Sequence, residues 1–194
     1  MIDNVEVGQT MKDDNYRSIT LVTSRQDSVD CRYYYIEGAT KAVIWVGGIG
    51  GGWDTPAKWL YPQLCQKLVN NERISSLRIR YRYPRDLDES LTDVIAGIKF
   101  LEHEGIQSVG LVGHSFGGAV VIEAAAAVPD MVLTIVTLST QSYRAVETVS
   151  KLRKGCSILL IHGTDGIIIL LIILLLMLEE ETEFSFSPST TSSL

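Results

Sequence analysis

The sequence predicts an α/β fold built on a mostly parallel sheet with helices on both faces. Between Ala42 and Ile161, short apolar runs alternate with segments of helical spacing. That order is what a parallel sheet with crossover helices requires. Several runs, residues 42–46 and 132–138 among them, are apolar almost throughout, as strands covered on both faces are. A third observation concerns where chemistry would sit. The segment 47–53, Ser115 and the segment 163–165 each directly follow a strand. All three are expected at the carboxyl edge of the sheet, where such folds place their ligands.

The elements follow in order. Residues 18–23 and 31–36 are β-rich runs separated by polar residues 24–28, which reads as a starting hairpin. Residues 42–46 form a fully apolar strand, and a glycine-rich loop, 47–56, comes next. Residues 57–70 have helical spacing, with Trp59, Leu60, Leu64 and Leu68 on one side. Residues 76–81 give the next strand. Leu91, Val94, Ile95, Ile98 and Leu101 mark a second amphipathic helix that ends near Gly105. Strand 108–112 leads through Ser115 into an alanine-rich helix over 119–128, and Pro129-Asp130 marks its exit. A strand over 132–138, a helix over 143–152 and a strand over 157–161 complete the pattern.

The totals bound the function. At 194 residues the chain suits one domain with a real core. A net charge of −6 and a pI near 5.1 argue against a nucleic-acid partner. Cys31, Cys65 and Cys156 are odd in number and widely spaced, which fits neither a disulfide framework nor a zinc pattern. The first fifteen residues carry acids and no apolar core, so they do not read as a secretory signal. A cytoplasmic setting is the expectation.

The run Val109-Gly110-Leu111-Val112-Gly113-His114-Ser115-Phe116-Gly117-Gly118 carries the chemistry. A serine on a sharp turn between strand and helix is how many hydrolases expose a nucleophile. Gly113 and Gly117 lie two residues to either side of Ser115, where small residues let the chain turn tightly and the helix pack close. The helix N-terminus beneath Ser115 favours a developing oxyanion. Five of the six residues from Gly47 to Gly52 are glycine, so backbone N–H groups there can face a substrate unobstructed. The amide of Phe116, with one from Gly48 or Ile49, is the candidate oxyanion hole. Asp165, in Ile161-His162-Gly163-Thr164-Asp165-Gly166, is the candidate acid that orients a catalytic histidine. An Asp-Gly pair equally suits a plain turn, but its place after the last clear strand favours the catalytic role. Arg78, Arg80, Arg82 and Arg85 cluster near the same edge and read as a solvated face, or as contacts to an anionic substrate.

Taken in this order, the glycine loop, Gly-His-Ser-Phe-Gly-Gly and His-Gly-Thr-Asp resemble the α/β-hydrolase superfamily. The similarity is greatest to its small, lid-poor members, the dienelactone-hydrolase-like and prolyl-oligopeptidase-like serine hydrolases. The resemblance implies an α/β-hydrolase-type sheet with Ser115 as nucleophile, Asp165 as acid, and Phe116 with Gly48 or Ile49 as oxyanion hole. It implies a small-molecule acyl substrate and no metal or organic cofactor. Only eighteen residues separate Leu138 from Ser157, too few for a large helical lid. The family order is nucleophile, acid, then histidine, yet no histidine follows Asp165. His114 is expected to point away from the nucleophile, His162 to support its loop, and His103 to lie far from the site.

Beyond Asp165 the texture changes. Residues 167–178 are all Ile, Leu or Met, Glu179 to Glu181 follow, and a Ser/Thr-rich tail ends the chain. The expected organisation is an incomplete hydrolase core over 1–165 and a low-complexity segment over 166–194, with the last strand and helix of the family pattern missing. Three readings compete: a replacement core element, a membrane segment, and an altered or truncated reading of the gene. Twelve residues are too short to span a bilayer, which needs about twenty. Exposed apolar faces would promote self-association. The expected function is a serine hydrolase acting on an ester, thioester or related acyl bond, impaired by the missing base. The alternative is a catalytically inactive hydrolase-fold protein that binds a partner or associates with a membrane.

Overall fold

A computed structural model describes residues 2–11, 15–23, 27–57, 59–142, 144–163 and 184–186. Asp165, the apolar block 167–178 and most of the tail lie outside the described residues. Among the described residues nine strands form one sheet. They are β1 (Ile2–Met11), β2 (Tyr16–Thr23), β3 (Ser28–Tyr34), β4 (Lys41–Val46), β5 (Ser75–Arg80), β6 (Ser108–His114), β7 (Val132–Leu138), β8 (Ser157–Ile161) and β9 (Phe184–Phe186). Their spatial order is β1-β2-β3-β5-β4-β6-β7-β8-β9. β1, β2, β3 and β5 are joined antiparallel, and every pairing from β5 onward is parallel. The α/β sheet expected from the alternating pattern is therefore present.

The chain steps from β4 outward to β5 and then returns to the other side of β4 as β6. That reversal leaves a crevice at the carboxyl ends of β4 and β6. The glycine loop leaves β4 there, and Ser115 leaves β6.

Four α-helices are described: α1 (Leu60–Lys67), α2 (Leu87–His103), α3 (Phe116–Ala127) and α4 (Ala145–Val149). α2, α3 and α4 share one core, in which Val94, Ile98, Leu101, Val120, Val121 and Ile122 meet Ile44, Leu77, Leu111 and Ile135 of the sheet. α1 covers the other face, where Tyr61 and Cys65 join Trp45, Val112, Tyr16 and Tyr34. α3 is apolar nearly all round because it is enclosed by β6, β7, α2 and α4.

α2 shows how local sequence sets an element's ends. The Asp86 carboxylate accepts the Asp88 and Glu89 N–H groups, which caps the first turn. At the other end Gly105 adopts φ +87°, and Ile106 N–H donates to the Leu101 carbonyl. This is the Schellman closure that a glycine permits.

Two expectations need adjustment. The helix expected over 57–70 begins only at Leu60, because Trp59 takes a left-handed backbone with φ 61°, and it continues as a π-helical turn over Leu68–Glu72. The helix expected over 143–152 shortens to Ala145–Val149, since Arg144 is also left-handed at φ 57°. Within the tail, the three residues of β9 lie beside β8. β1 carries no strong strand signal, because Asp3, Asn4 and Glu6 interrupt its apolar residues. It pairs with β2 as an edge strand, and charged residues suit an edge.

Candidate active site

Ser115 sits between the last residue of β6 and the first of α3, with φ 53° and ψ −115°. A side-chain-bearing residue at positive φ is strained by about 1–3 kcal/mol and persists only where its surroundings impose it. The surroundings here are explicit. Ser115 N–H donates to the Leu138 carbonyl at 2.8 Å, and the Ser115 carbonyl accepts from Gly118 N–H at 3.0 Å and Gln141 N–H at 3.3 Å.

The glycines of the motif are required by close approach. A methyl group on Gly113 would strike the Gly117 carbonyl and lie 2.8 Å from Gly118 N. One on Gly117 would strike the Gly47 carbonyl, and one on Gly118 would strike Thr140 Oγ1. The elbow therefore closes backbone to backbone, and α3 meets the glycine loop without intervening side chains. Phe116 turns its ring inward against Tyr81, edge-on at 6.1 Å.

The glycine loop folds back onto the elbow. A methyl group on Gly48 would come 3.5 Å from Ser115 Cβ, 3.4 Å from His114 Nδ1 and 3.3 Å from Asp54 Oδ2. Gly48 N–H already donates to Asp54 Oδ2 at 3.1 Å. The Gly48 carbonyl accepts from Gly51 N–H at 3.2 Å. Among the described residues no acceptor is paired with the amides of Ile49 or Phe116. Beneath the loop, Tyr61 Oη donates to the Val46 carbonyl at 3.2 Å and fixes the end of β4.

The histidines are accounted for one by one. His114 turns its Nδ1 toward Asp54 Oδ2 at 3.7 Å, beyond hydrogen-bond reach, and that nitrogen is buried without a partner. His162 Nδ1 lies 3.3 Å from the Gly163 carbonyl. His103 ends α2, beside Tyr33 and Gly105 at the opposite edge of the sheet. Among the described residues the one side-chain partner of Ser115 Oγ is Gln141 Nε2, at 3.5 Å. Asp165, the expected acid, lies outside the described residues.

The arginine cluster divides. Arg80 is exposed and faces Asp30 at 3.5 Å. Arg82 is not part of a solvated face, since its guanidinium meets Asp93, Glu89 and Asp27 at 2.6, 2.8 and 2.7 Å. Arg78 is only 3% exposed and donates to the Trp53 carbonyl at 2.9 Å. The Arg32 and Arg78 guanidinium groups both lie against the Trp53 ring, at 4.2 and 5.6 Å. Sequence reasoning missed Asp54 and Gln141. Both follow strand ends, and Asp54 closes the glycine loop, but neither belongs to a recognisable motif.

Residues 49–155, more than half of the chain, match the sequence model of the alpha/beta hydrolase fold family, and the chain belongs to that family. Solved structures agree on the fold. A dienelactone hydrolase from Anabaena variabilis superposes with a TM-score of 0.72 at 17% identity, covering 89% of this chain and 85% of its own. The esterase Pf2001 from Pyrococcus furiosus gives 0.69 at 16% identity, covering 97% and 88%. Est1E from Butyrivibrio proteoclasticus gives 0.64 at 14% identity, covering 88% of each chain. No curated protein sequence matches the chain.

Proposed function

We propose that the protein is a serine hydrolase that cleaves an ester, thioester or related acyl bond through Ser115. The observation that carries this reading is the strained Ser115 backbone at the β6–α3 elbow, closed by glycines that tolerate no side chain. A strained turn enforced on every side suits a residue held out for reaction. The relatives support an acyl substrate, since the superposable structures include an esterase and a dienelactone hydrolase.

In this reading Ser115 Oγ attacks the substrate carbonyl carbon as its proton passes to water, and the carbonyl oxygen becomes an oxyanion. The amides of Phe116 and Ile49 receive it, because Gly48 N–H is already held by Asp54. The C–O or C–S bond to the leaving group then breaks, and water later hydrolyses the acyl-enzyme. A serine hydroxyl needs a base to take its proton, and none of the three histidines faces Ser115 Oγ among the described residues. Turnover by this chain is therefore slow, resting on binding and oxyanion stabilisation.

Steady-state hydrolysis of p-nitrophenyl acetate by the wild type and Ser115→Ala tests the reading. A slow rate above background that disappears in Ser115→Ala is expected. Equal rates in the two proteins would defeat the reading.

A further inference from the structure

Asp54 belongs to no motif, yet the glycine loop closes on it. A methyl group on Gly47 would come within 2.9 Å of Asp54 Cβ, so the carboxylate folds back under the start of the loop. There Asp54 Oδ2 accepts Gly48 N–H at 3.1 Å. The same oxygen is the one that His114 Nδ1 faces at 3.7 Å, so one atom lies between the loop and the elbow.

Two hydrogen bonds then fix the two peptide planes that meet at Gly48. Gly48 N–H is held by Asp54, and the Gly48 carbonyl is held by Gly51 N–H at 3.2 Å. In a planar trans peptide the following N–H points opposite to the carbonyl. The Gly51 bond holds the plane that carries Ile49 N–H, and the Asp54 bond holds the preceding plane, so the turn at Gly48 that aims the Ile49 amide is pinned at both ends, while that amide stays unpaired among the described residues.

Asp54 is itself anchored. The carbonyl of the preceding Trp53 accepts from Arg78 at 2.9 Å, and the Trp53 ring packs against the guanidinium groups of Arg32 and Arg78. On the other side Thr55 Oγ1 accepts Tyr61 N–H at 3.2 Å and ties the loop to α1.

We infer that Asp54 is a positioning residue: its carboxylate clamps Gly48 N–H and so aims the Ile49 amide as an oxyanion donor beside Ser115. This rests on the reading of Ile49 as part of the oxyanion hole.

The test is nuclear magnetic resonance on isotopically labelled full-length protein. In the wild type, a through-hydrogen-bond coupling between Gly48 nitrogen and the Asp54 side-chain carboxyl carbon is expected, and its absence would overturn the clamp. In Asp54→Ala, amide exchange at Gly48 is expected to speed up about tenfold or more, with Gly110 in β6 unchanged, and the Ile49 amide resonance is expected to shift as its peptide plane turns. Asp54→Asn, which keeps an acceptor oxygen, is expected to restore slow exchange at Gly48 and the wild-type Ile49 resonance. Gly48 exchange and an Ile49 resonance that both match the wild type in Asp54→Ala would overturn the proposal. Should Asp54→Ala fail to fold, the wild-type coupling decides. Ser115 labelling by a fluorophosphonate is read separately in the wild type. Its failure would count against the nucleophile while leaving the amide measurements to decide the role of Asp54.

Discussion

Gly117 stands against the carbonyl oxygen of Gly47, so that α3 and the glycine loop meet backbone to backbone. A single methyl group at Gly117 would also come within 3.1 Å of the Val46 carbonyl. These neighbours are main-chain atoms at the end of a central strand, and they cannot swing aside as a flexible side chain would. Gly117→Ala is expected to lower unfolding stability by about 1–3 kcal/mol, the usual cost of overpacking. Urea denaturation followed by circular dichroism checks this. An unchanged midpoint would mean that the helix and loop are not in contact.

Arg82 and Asp93 form the centre of a buried charge network. The Asp93 side chain is fully buried and takes both the Arg82 side chain, at 2.6 Å, and the Arg82 backbone N–H, at 2.9 Å. Burial raises the Asp93 carboxyl above its ordinary value, against the lowering pull of those Arg82 contacts. Arg82→Met leaves that carboxylate buried with no cation and only the backbone N–H of residue 82, so a loss of about 3–5 kcal/mol is expected. Asp93→Asn should cost less, because Arg82 retains Glu89 and Asp27. Chemical denaturation of both variants gives the comparison, and the reverse ranking would contradict it.

The cysteines give a pH-dependent check on the core. Burial pushes the Cys65 thiol from 9.0 up to about 12, with Arg78 pulling the other way, and it raises Cys31 well above its ordinary value too. Both thiols are fully buried. At pH 8 they are expected to react with Ellman's reagent only on unfolding, and immediate reaction of either in native buffer would contradict the packing. The linkage has a definite sign. Below pH 9.0 the Cys65 thiol is protonated in folded and unfolded chains alike. Between 9.0 and about 12 only the unfolded chain loses the proton, so stability falls as pH rises. The slope approaches about 1.4 kcal/mol per pH unit for each such group.

The order of strands and helices was legible because buried parallel strands are short and apolar on both faces, whereas α1 and α2 carry apolar residues at helical spacing and α3 is a longer alanine-rich run. The elbow was legible for a different reason, since its glycines answer a steric demand that shows in the sequence as fixed spacing around Ser115. What escaped was set by tertiary contact. Trp59 and Arg144 hold left-handed backbones that no local preference announces, and they shorten α1 and α4. Asp54 and Gln141 reach the site only because loops from β4 and β7 end beside β6. That Gly48 N–H is already held by a carboxylate six residues on is likewise set by the fold of the loop. Arg78 and Arg82 looked alike in a row of arginines, yet one holds a carbonyl and the other a cluster of carboxylates.

We propose Ser115 as a nucleophile in a frame where, among the described residues, no histidine hydrogen-bonds its hydroxyl. A small diffusible base should then substitute for the missing group. The direct measurement is the rate at which a fluorophosphonate probe, losing fluoride, becomes bonded to the protein with and without added imidazole, with the adduct located by peptide mass spectrometry. A slow adduct on Ser115 that forms several-fold faster in imidazole, and not at all in Ser115→Ala, is the expected result. An adduct on another residue, or equal labelling of Ser115→Ala, would contradict the account.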